Sequence, residues 1–191
     1  MRLSWVAVKA VMLEVGPKLL EQRRRSGADL WDEMWEGVLH MVPPPAERHQ
    51  LLGAKLCAVL LPIAETLGLR LVQHIGLYRA DDDYRGPDLA AYRPDQTSRR
   101  GLEAAAELVI EIVSPGDESR EKVPWFAALA IRDIFLIDRD TLDVERFEPR
   151  DGRPIQTDHT RSEALGCTIE RVDDSTLRII TADGGEIEIR L

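Results

Sequence analysis

The sequence predicts an α/β fold, in the broad sense that includes α+β, with a mixed central sheet flanked by helices. Residues 108–113 read Leu-Val-Ile-Glu-Ile-Val, an apolar run that suits a central strand. Residues 107–138 give the order strand, turn, helix and strand. Three short runs near the C-terminus are typical of antiparallel strands. Together these patterns predict a mixed sheet with a few helices and a β-rich C-terminal extension.

Helical patterns are clearest in the first half of the chain. Pro17 opens a predicted short helix that Ser26-Gly27 ends. Leucine, isoleucine and valine recur at helical spacing over residues 46–68, so we expect a long helix there, kinked at Pro62. Between the two helices, residues 35–42 are predicted as one strand that three prolines end.

The remaining elements follow from alternation and from turn residues. A polar turn over 80–85 and a polar loop over 150–161 interrupt the strands, and a helix over 118–130 follows the central one. The predicted strands cover residues 69–78, 87–92, 108–113, 134–138, 142–147, 167–172, 176–181 and 186–191. The fourth and fifth of these are expected to form a hairpin.

The chain length predicts a single domain. The sequence has 191 residues, 44% of them hydrophobic, which is enough for one good core and short for two. We therefore expect one domain over residues 1–191, with its core at about 30–150 and the β-rich extension over 151–191.

Charge and cysteine content indicate which binding partners and which cellular compartment suit the protein. The formal charge is −9, from 25 Lys and Arg against 34 Asp and Glu. This balance disfavours loose coating of nucleic acid, which needs clustered cations, but leaves room for a basic groove. Cys57 and Cys167 lie far apart in apolar contexts, as free thiols of a cytoplasmic protein do. Lys9 and Glu14 interrupt the apolar residues 5–15, so we expect no signal peptide, and no run is long enough to span a membrane.

Asp88 and Glu111 are the candidate metal ligands. Glu111 lies inside an apolar strand, where a carboxylate is costly to bury unless it is paired or binds a metal. If the two strands pair, both carboxylates can bind one Mg²⁺, or Mn²⁺ in its place, with the Ile112 backbone carbonyl as a further ligand. Lys122, early in the next helix, is the candidate residue that orients an attacking water.

Each of these residues also has a purely structural interpretation. Asp88 can serve a strand-end turn, Glu111 can pair with an arginine, and Lys122 can be a solvated helix residue. The apolar neighbours of Glu111 favour the functional interpretation for that residue. His49, near the start of the long helix, can support the site or contact a phosphate, or it can simply be a polar residue at a helix end.

The order of these motifs resembles the Uma-type endonuclease family, which belongs to the PD-(D/E)XK nuclease superfamily. The resemblance covers about residues 30–150. Its motifs are Pro87-Asp88, Glu111 through Pro115, Lys122, residues 134–138, and upstream residues 36–45 with His49-Gln50. The resemblance implies a restriction-endonuclease-like fold, metal-dependent hydrolysis of phosphodiesters, and DNA as the substrate.

The resemblance also assigns roles to single positions. In most of the superfamily the lysine lies two residues after the glutamate, where this chain has Val113. The Uma-type pattern places the lysine on the following helix, which fits Lys122. The family implies a carboxylate near Glu36, from a helix or strand beside the site. Phe126 replaces a usual tyrosine and Ala130-Ile131 a common Gly-Val pair, and both changes fall at core-like positions.

The leading hypothesis is a magnesium-dependent endodeoxyribonuclease. One alternative is a nuclease-fold protein that binds nucleic acid or a protein partner without cleavage, and another is a small-molecule phosphate hydrolase. Homodimerisation would suit the cutting of two strands. The candidates for a local basic rim along bound DNA are Arg85, Arg99, Arg100, Arg120 and Arg132.

Overall fold

The mixed α+β fold predicted from the sequence is confirmed by a computed structural model, which describes residues 11–12, 16–27 and 29–191. Its helices are α1 (Pro17–Ser26), α2 (Glu47–Thr66) and α3 (Ser119–Ala128). Its strands are β1 (Val11–Met12), β2 (Glu33–Trp35), β3 (Val38–His40), β4 (Arg70–Gln73), β5 (Leu77–Ala80), β6 (Asp83–Arg85), β7 (Leu89–Tyr92), β8 (Leu102–Glu103), β9 (Leu108–Val113), β10 (Asp133–Asp138), β11 (Val144–Arg150), β12 (Arg153–Gln156), β13 (Thr168–Asp173), β14 (Thr176–Ile180) and β15 (Glu186–Arg190).

A six-stranded mixed sheet forms the centre, in the order β12-β11-β10-β9-β7-β4. Strand β9 lies inside it, parallel to β10 and antiparallel to β7, and all six of its residues are buried. The helix α3 connects β9 to β10, as the crossover between neighbouring parallel strands requires. The central strand predicted from its apolar run is therefore confirmed.

Two hydrophobic cores cover the two faces of this sheet. On one face, Ile110 and Ile112 of β9 pack with the leucines of α2 and with apolar residues of β13, β14 and β15. On the other face, Val109 and Val113 pack with Phe126 and its neighbours on α3. The alternation of neighbouring residues between the two cores follows from the two-residue repeat of a strand. Glu111 therefore shares its face with the α3 core.

A second six-stranded sheet, in the order β1-β3-β2-β6-β5-β8, corrects three expectations. Residues 35–42 are not one strand, because Glu36 and Gly37 have φ values of 51° and 86° and turn the chain into the β2–β3 hairpin. Residues 69–78 are not one strand either, because His74 at φ 51° separates β4 from β5, which lie in different sheets. The turn over 80–85 contains β6, and its Asp83 is buried.

The C-terminal strands β13, β14 and β15 form an antiparallel sheet of their own, as predicted. The loop expected over 150–161 instead contains the edge strand β12, which pairs with β11. Asp133 at the start of β10 ties this region to the centre. It accepts hydrogen bonds from Arg146 at 2.8 and 3.0 Å, from the Ser162 hydroxyl at 2.7 Å and from the Ala164 amide at 2.8 Å.

The long helix is confirmed over most of its predicted length, and it continues through Pro62. Within the described residues, no helix combines the length and the apolar character that a membrane crossing needs. Cys57 and Cys167 are both free, and burial raises the pKa of the Cys167 thiol to about 11. The residues on which the signal-peptide expectation rests lie mostly outside the described part of the chain.

Replacing Ala130 with glycine is expected to stabilise the protein. Ala130 follows α3 at a φ of 56°, a left-handed conformation that costs a side chain about 1–2 kcal/mol and glycine almost nothing. Its methyl group is exposed, so little packing is lost. Because glycine also gives the unfolded chain more freedom, we expect a net gain of about 0.5–1 kcal/mol in the free energy of unfolding by urea.

The matched control is Ala128→Gly, at an exposed position inside the last turn of α3. There the backbone is helical, so glycine should lower the free energy of unfolding by about 0.5–1 kcal/mol. If both variants were less stable than the wild type, the backbone of Ala130 would not be strained as we infer.

Candidate active site

Asp88 lies next to Glu111, directly before the strand that pairs with β9. Strands β7 and β9 are antiparallel, with Leu89 opposite Ile110, and Asp88 is the residue before Leu89. Its carboxylate reaches β9, where Oδ2 accepts a hydrogen bond from the Ile112 amide, and its negative charge acts on Glu111. The pairing on which the metal hypothesis depends is therefore present.

Both oxygens of the Asp88 carboxylate are held in place. The Ile112 amide donates to Oδ2 at 2.7 Å, and His49 Nε2 lies 2.9 Å from Oδ1. Because a carboxylate accepts hydrogen bonds, Nε2 is the donor to Asp88, and Nδ1 lies 3.3 Å from the Ser114 hydroxyl. The sequence suggested several uses for His49; its contacts make it the residue that orients Asp88.

Lys122 reaches the same site from the first turn of α3. Its Nζ lies 3.1 and 3.2 Å from the two oxygens of Glu111. The loop before the helix fixes this direction, because Asp117 accepts hydrogen bonds from the amides of Ser114 at 2.5 Å and Ser119 at 3.1 Å. The structure thus brings together Asp88, Glu111 and Lys122, the three residues selected from the sequence.

Glu33 is a fourth ionisable residue of the site, and the sequence did not single it out. Its Oε1 accepts from Lys122 Nζ at 2.7 Å and from the Gly86 amide at 3.0 Å. Its Oε2 accepts from Trp35 Nε1 at 2.7 Å. Three donors and burial fix this carboxylate on β2, beside the lysine.

Glu36, the position near which the resemblance implied a carboxylate, lies outside the site. It is the first turn residue of the β2–β3 hairpin, its side chain is 75% exposed, and it pairs with Arg79 at 2.9 Å. The reversal of the chain at Glu36 and Gly37 is what leaves Glu33 facing Lys122. Gly37, which adopts a φ of 86°, was the one local signal for a turn at this point.

The charges of the site are unbalanced. Burial raises the pKa of the Glu111 carboxyl well above its ordinary value; Lys122 opposes this shift, whereas Asp88 and Glu33 add to it. Burial acts to lower the pKa of Lys122, but Glu111, Glu33 and Asp88 outweigh it and raise that pKa above its ordinary value. Three carboxylates around one ammonium leave an excess of negative charge in a buried place.

This arrangement fits a magnesium or manganese ion. Mg²⁺ binds proteins through one or two carboxylates and keeps waters and phosphate oxygens as its other ligands. Asp88 and Glu111 supply two carboxylates, and their excess charge is what a divalent cation would neutralise. Within residues 11–12, 16–27 and 29–191, no three His, Cys, Asp or Glu side chains form a group that could hold a metal by themselves. The donor set is therefore one that also needs water or substrate oxygens.

The site opens into a pocket of about 470 Å³. Its lining includes the stretch 41–46 before α2 and the loop 114–119 before α3. His74 and Trp31 also line the pocket, and their rings meet edge to face at 4.4 Å. His74 Nδ1 lies 3.8 Å from Asp88 Oδ1, and burial lowers the pKa of its imidazole.

The arginines predicted to form a basic rim do not line this pocket. Arg85 is buried, pairs with Asp83 at 2.8 Å, and lies between the rings of Trp35 and Trp125. Three others pair with acids on the protein's own surface: Arg100 with Asp81 and Glu103, Arg120 with Glu145, and Arg132 with Glu107. Arg99 is exposed. Of the five, Arg85 is therefore withdrawn from the surface, and the other four lie on the surface outside the lining of this pocket.

Comparison with known sequences gives one family. The family model Uma2, described as "Putative restriction endonuclease", matches residues 20–169. This match includes Glu33, Asp88, Glu111 and Lys122. No curated protein matches the chain at a significant level.

Two solved structures are similar to this chain in different degrees. The first is the crystal structure of a putative nuclease belonging to DUF820 from Anabaena variabilis ATCC 29413, with a TM-score of 0.53 and 18% identity over 68% of this chain and 78% of that one. The second is the DrdV–DNA complex, with a TM-score of 0.32 and 16% identity over 58% of this chain and 11% of that one. The first shows a shared fold, and the second is too distant to carry an argument.

Proposed function

This chain belongs to the Uma2 family of putative restriction endonucleases, and from that premise and the geometry of the site we propose that it is a divalent-metal-dependent nuclease that hydrolyses phosphodiester bonds in DNA. The resemblance read from its motifs is confirmed by the family match. The DNA substrate, the metal and the roles of single residues are the parts that we propose.

One observation carries the proposal: the carboxylates of Asp88 and Glu111 lie close together where β7 begins to pair with β9, with Lys122 beside Glu111. A binding module has no need of two adjacent carboxylates and a lysine in one buried place. Burying such a group is costly unless its charges are paired or serve a ligand, and the single ammonium of Lys122 cannot balance three carboxylates. A charge excess at the floor of a pocket is the arrangement that suits metal-assisted hydrolysis.

In the proposed site, Asp88, Glu111 and the Ile112 carbonyl hold Mg²⁺ or Mn²⁺. The bound ion lowers the pKa of a water and neutralises charge that develops on the phosphate. The protein's own contribution is to hold these ligands still. His49 and the Ile112 amide fix the two oxygens of Asp88, and the β9 backbone fixes Glu111.

Lys122 is proposed to orient the attacking water and to stabilise negative charge on the phosphate. Its raised pKa keeps the ammonium charged at neutral pH, so it acts as a hydrogen-bond donor and not as a base. Glu33 holds the ammonium at 2.7 Å and limits its freedom to move. A charged donor fixed in advance stabilises a transition state better than one that must reorganise.

The proposed role of Glu33 predicts a specific loss. Glu33→Gln removes the charge that holds Lys122 and leaves the side chain with one acceptor fewer. We expect kcat for DNA cleavage to fall about 10- to 100-fold with little change in KM, the scale of losses for residues that orient catalytic groups. Steady-state cleavage of a labelled oligonucleotide measures both constants.

Glu36→Gln is the matched control, because it removes the same charge three residues away from an exposed side chain. It should leave kcat unchanged. Equal losses in the two variants, or none in Glu33→Gln, would remove Glu33 from the mechanism.

Metal binding tests the proposal without an assay of cleavage. Calorimetric titration with MnCl₂ or MgCl₂ is expected to show binding by the wild-type protein in the millimolar range or tighter. Asp88→Asn should weaken it at least about tenfold. Asp81→Asn is the control for general attraction to an acidic protein, because Asp81 is 96% exposed. Absence of binding by the wild-type protein at millimolar metal would make the site purely structural.

A further inference from the structure

The acidic groups of the candidate active site lie at the bottom of a pocket. Glu111 is 1% exposed, Glu33 3% and Lys122 8%. The pocket, of about 470 Å³, falls within the size range of sites that enclose one small ligand. A phosphodiester must enter this space for the residues to act on it. The shape of the pocket therefore restricts the form of the nucleic acid.

Its walls suit a single nucleobase. Trp31 and His74, whose rings meet edge to face at 4.4 Å, line it together with the apolar Val42 and Pro43. Bases of unpaired strands stack on aromatic side chains, with little regard to sequence, because each base has a π face. In a duplex these faces are covered by neighbouring base pairs. The rings of Trp31 and His74 can therefore stack on a base only if that base is unpaired.

The charge of the lining disfavours a duplex. Five acids line the pocket: Glu33, Asp88, Glu111, Asp117 and Glu118. Its two Lys or Arg side chains are already ion-paired, Lys122 with Glu33 and Glu111 and Arg139 with Asp140. Proteins hold duplex DNA through many Lys and Arg contacts to both backbones, and such interfaces are strongly positive. Of the arginines predicted to form a rim, Arg85 is buried, and Arg100, Arg120 and Arg132 pair with acids on the protein's own surface.

We propose that this site takes one unpaired nucleotide of a DNA strand, with its base against Trp31 and His74 and its phosphate at the acidic floor. The inference rests on the proposed function, since it names the form of DNA that the same site would cut. Enzymes that act inside a recessed pocket reach a nucleotide only in single-stranded substrate or after it leaves the stack. Trp31 is then a specificity-determining residue for unpaired DNA.

The test compares three forms of one DNA sequence, a single strand, a blunt duplex and a duplex with a single-stranded flap, together with a single-stranded RNA of the same sequence. Anisotropy of a fluorescent label measures binding to the full chain, with Ca²⁺ in place of Mg²⁺ to slow hydrolysis, and gel analysis measures cleavage in Mg²⁺. We expect the single strand and the flap to be bound and cut at least about tenfold better than the duplex. Equal or better binding and cleavage of the duplex would overturn the inference, as would a preference for single-stranded RNA.

Variants at Trp31 test separately whether this residue stacks on a base. Trp31→Ala should weaken binding of the single strand about tenfold, a loss typical of one stacked base, and leave duplex binding unchanged. Trp31→Phe keeps an aromatic face and should retain most of the affinity, which separates stacking from a fault in folding. Unchanged single-strand affinity in Trp31→Ala would overturn the inference.

The two proposals fail in different ways. A protein that binds the single strand in preference but cuts no DNA with any divalent metal would refute the proposed function. A protein that cuts the duplex as readily as the single strand in a metal-dependent manner would refute only the preference for unpaired DNA.

Discussion

Replacing Glu111 with glutamine is expected to lower the rate of DNA cleavage at least about 100-fold. Glutamine has nearly the shape of glutamate, but it lacks the negative charge with which Glu111 is proposed to hold the metal and which pairs with Lys122 at 3.1 Å. Because the lost interaction belongs to the reacting centre, the loss should appear in kcat. The measurement is single-turnover cleavage at saturating Mg²⁺, with variant and wild type purified in parallel.

A stability measurement separates this loss from a loss of folding. The raised pKa of Glu111 means that the folded protein binds its proton more tightly than the unfolded chain does. The metal-free fold therefore loses stability as the pH rises above 4.5, the ordinary pKa of the carboxyl. Glu111→Gln removes this cost, so it should be at least as stable as the wild type at pH 8, with the difference shrinking at and below pH 4.5. A variant that unfolds at pH 8 would contradict this account.

Replacing Asp133 with alanine is expected to cause the largest loss of stability, about 3–5 kcal/mol. Asp133 and Arg146 are both almost completely buried, and alanine would leave the guanidinium with Glu148, 3.8 Å from its Nη1, in place of the closer carboxylate. It would also release the Ser162 hydroxyl and the Ala164 amide. Thermal unfolding should therefore begin roughly 10 °C lower than in the wild type.

Asp140→Ala is the matched control for the loss of an ion pair. Asp140 pairs with Arg139, but it is 49% exposed, and such pairs contribute about 0–1 kcal/mol. A loss below about 1 kcal/mol in Asp133→Ala would show that the buried network is not needed. Since this network joins β10 to the segment before the C-terminal sheet, we also propose that the two unfold together as one domain, in a single transition.

The parts of the fold that the sequence predicted correctly are those with strong local patterns. The apolar run of β9 and the helical spacing of α2 each depend on one hydrophobic repeat, and both formed close to their expected bounds. The first of the three catalytic candidates found from the sequence was Glu111, because a carboxylate in a fully apolar strand stands out. Lys122 was a weak candidate from its place early in the next helix, and the family resemblance strengthened it.

The parts that the sequence did not predict depend on backbone turns or on distant partners. Two turns through positive φ, at Glu36 and at His74, each divided an expected strand in two. The first of these placed Glu33 at Lys122, a contact between residues 89 positions apart in the sequence. Likewise, no local pattern in the sequence predicts the ion pair of Asp133 and Arg146, because it depends on the pairing of β10 with β11. Non-local contacts of this kind appear only once the sheets are assembled.

The central claim is that Asp88, Glu111 and Lys122 form a metal-dependent hydrolytic site. Its most direct measurement is cleavage of single-stranded and duplex DNA by the wild-type protein in Mg²⁺, after removal of metal with EDTA, and after Mg²⁺ is restored. The account predicts cleavage in the first and third conditions, none in the second, and almost none by Glu111→Gln in any of them. Absence of cleavage of both DNA forms in Mg²⁺ and Mn²⁺, or equal cleavage by Glu111→Gln, would contradict it.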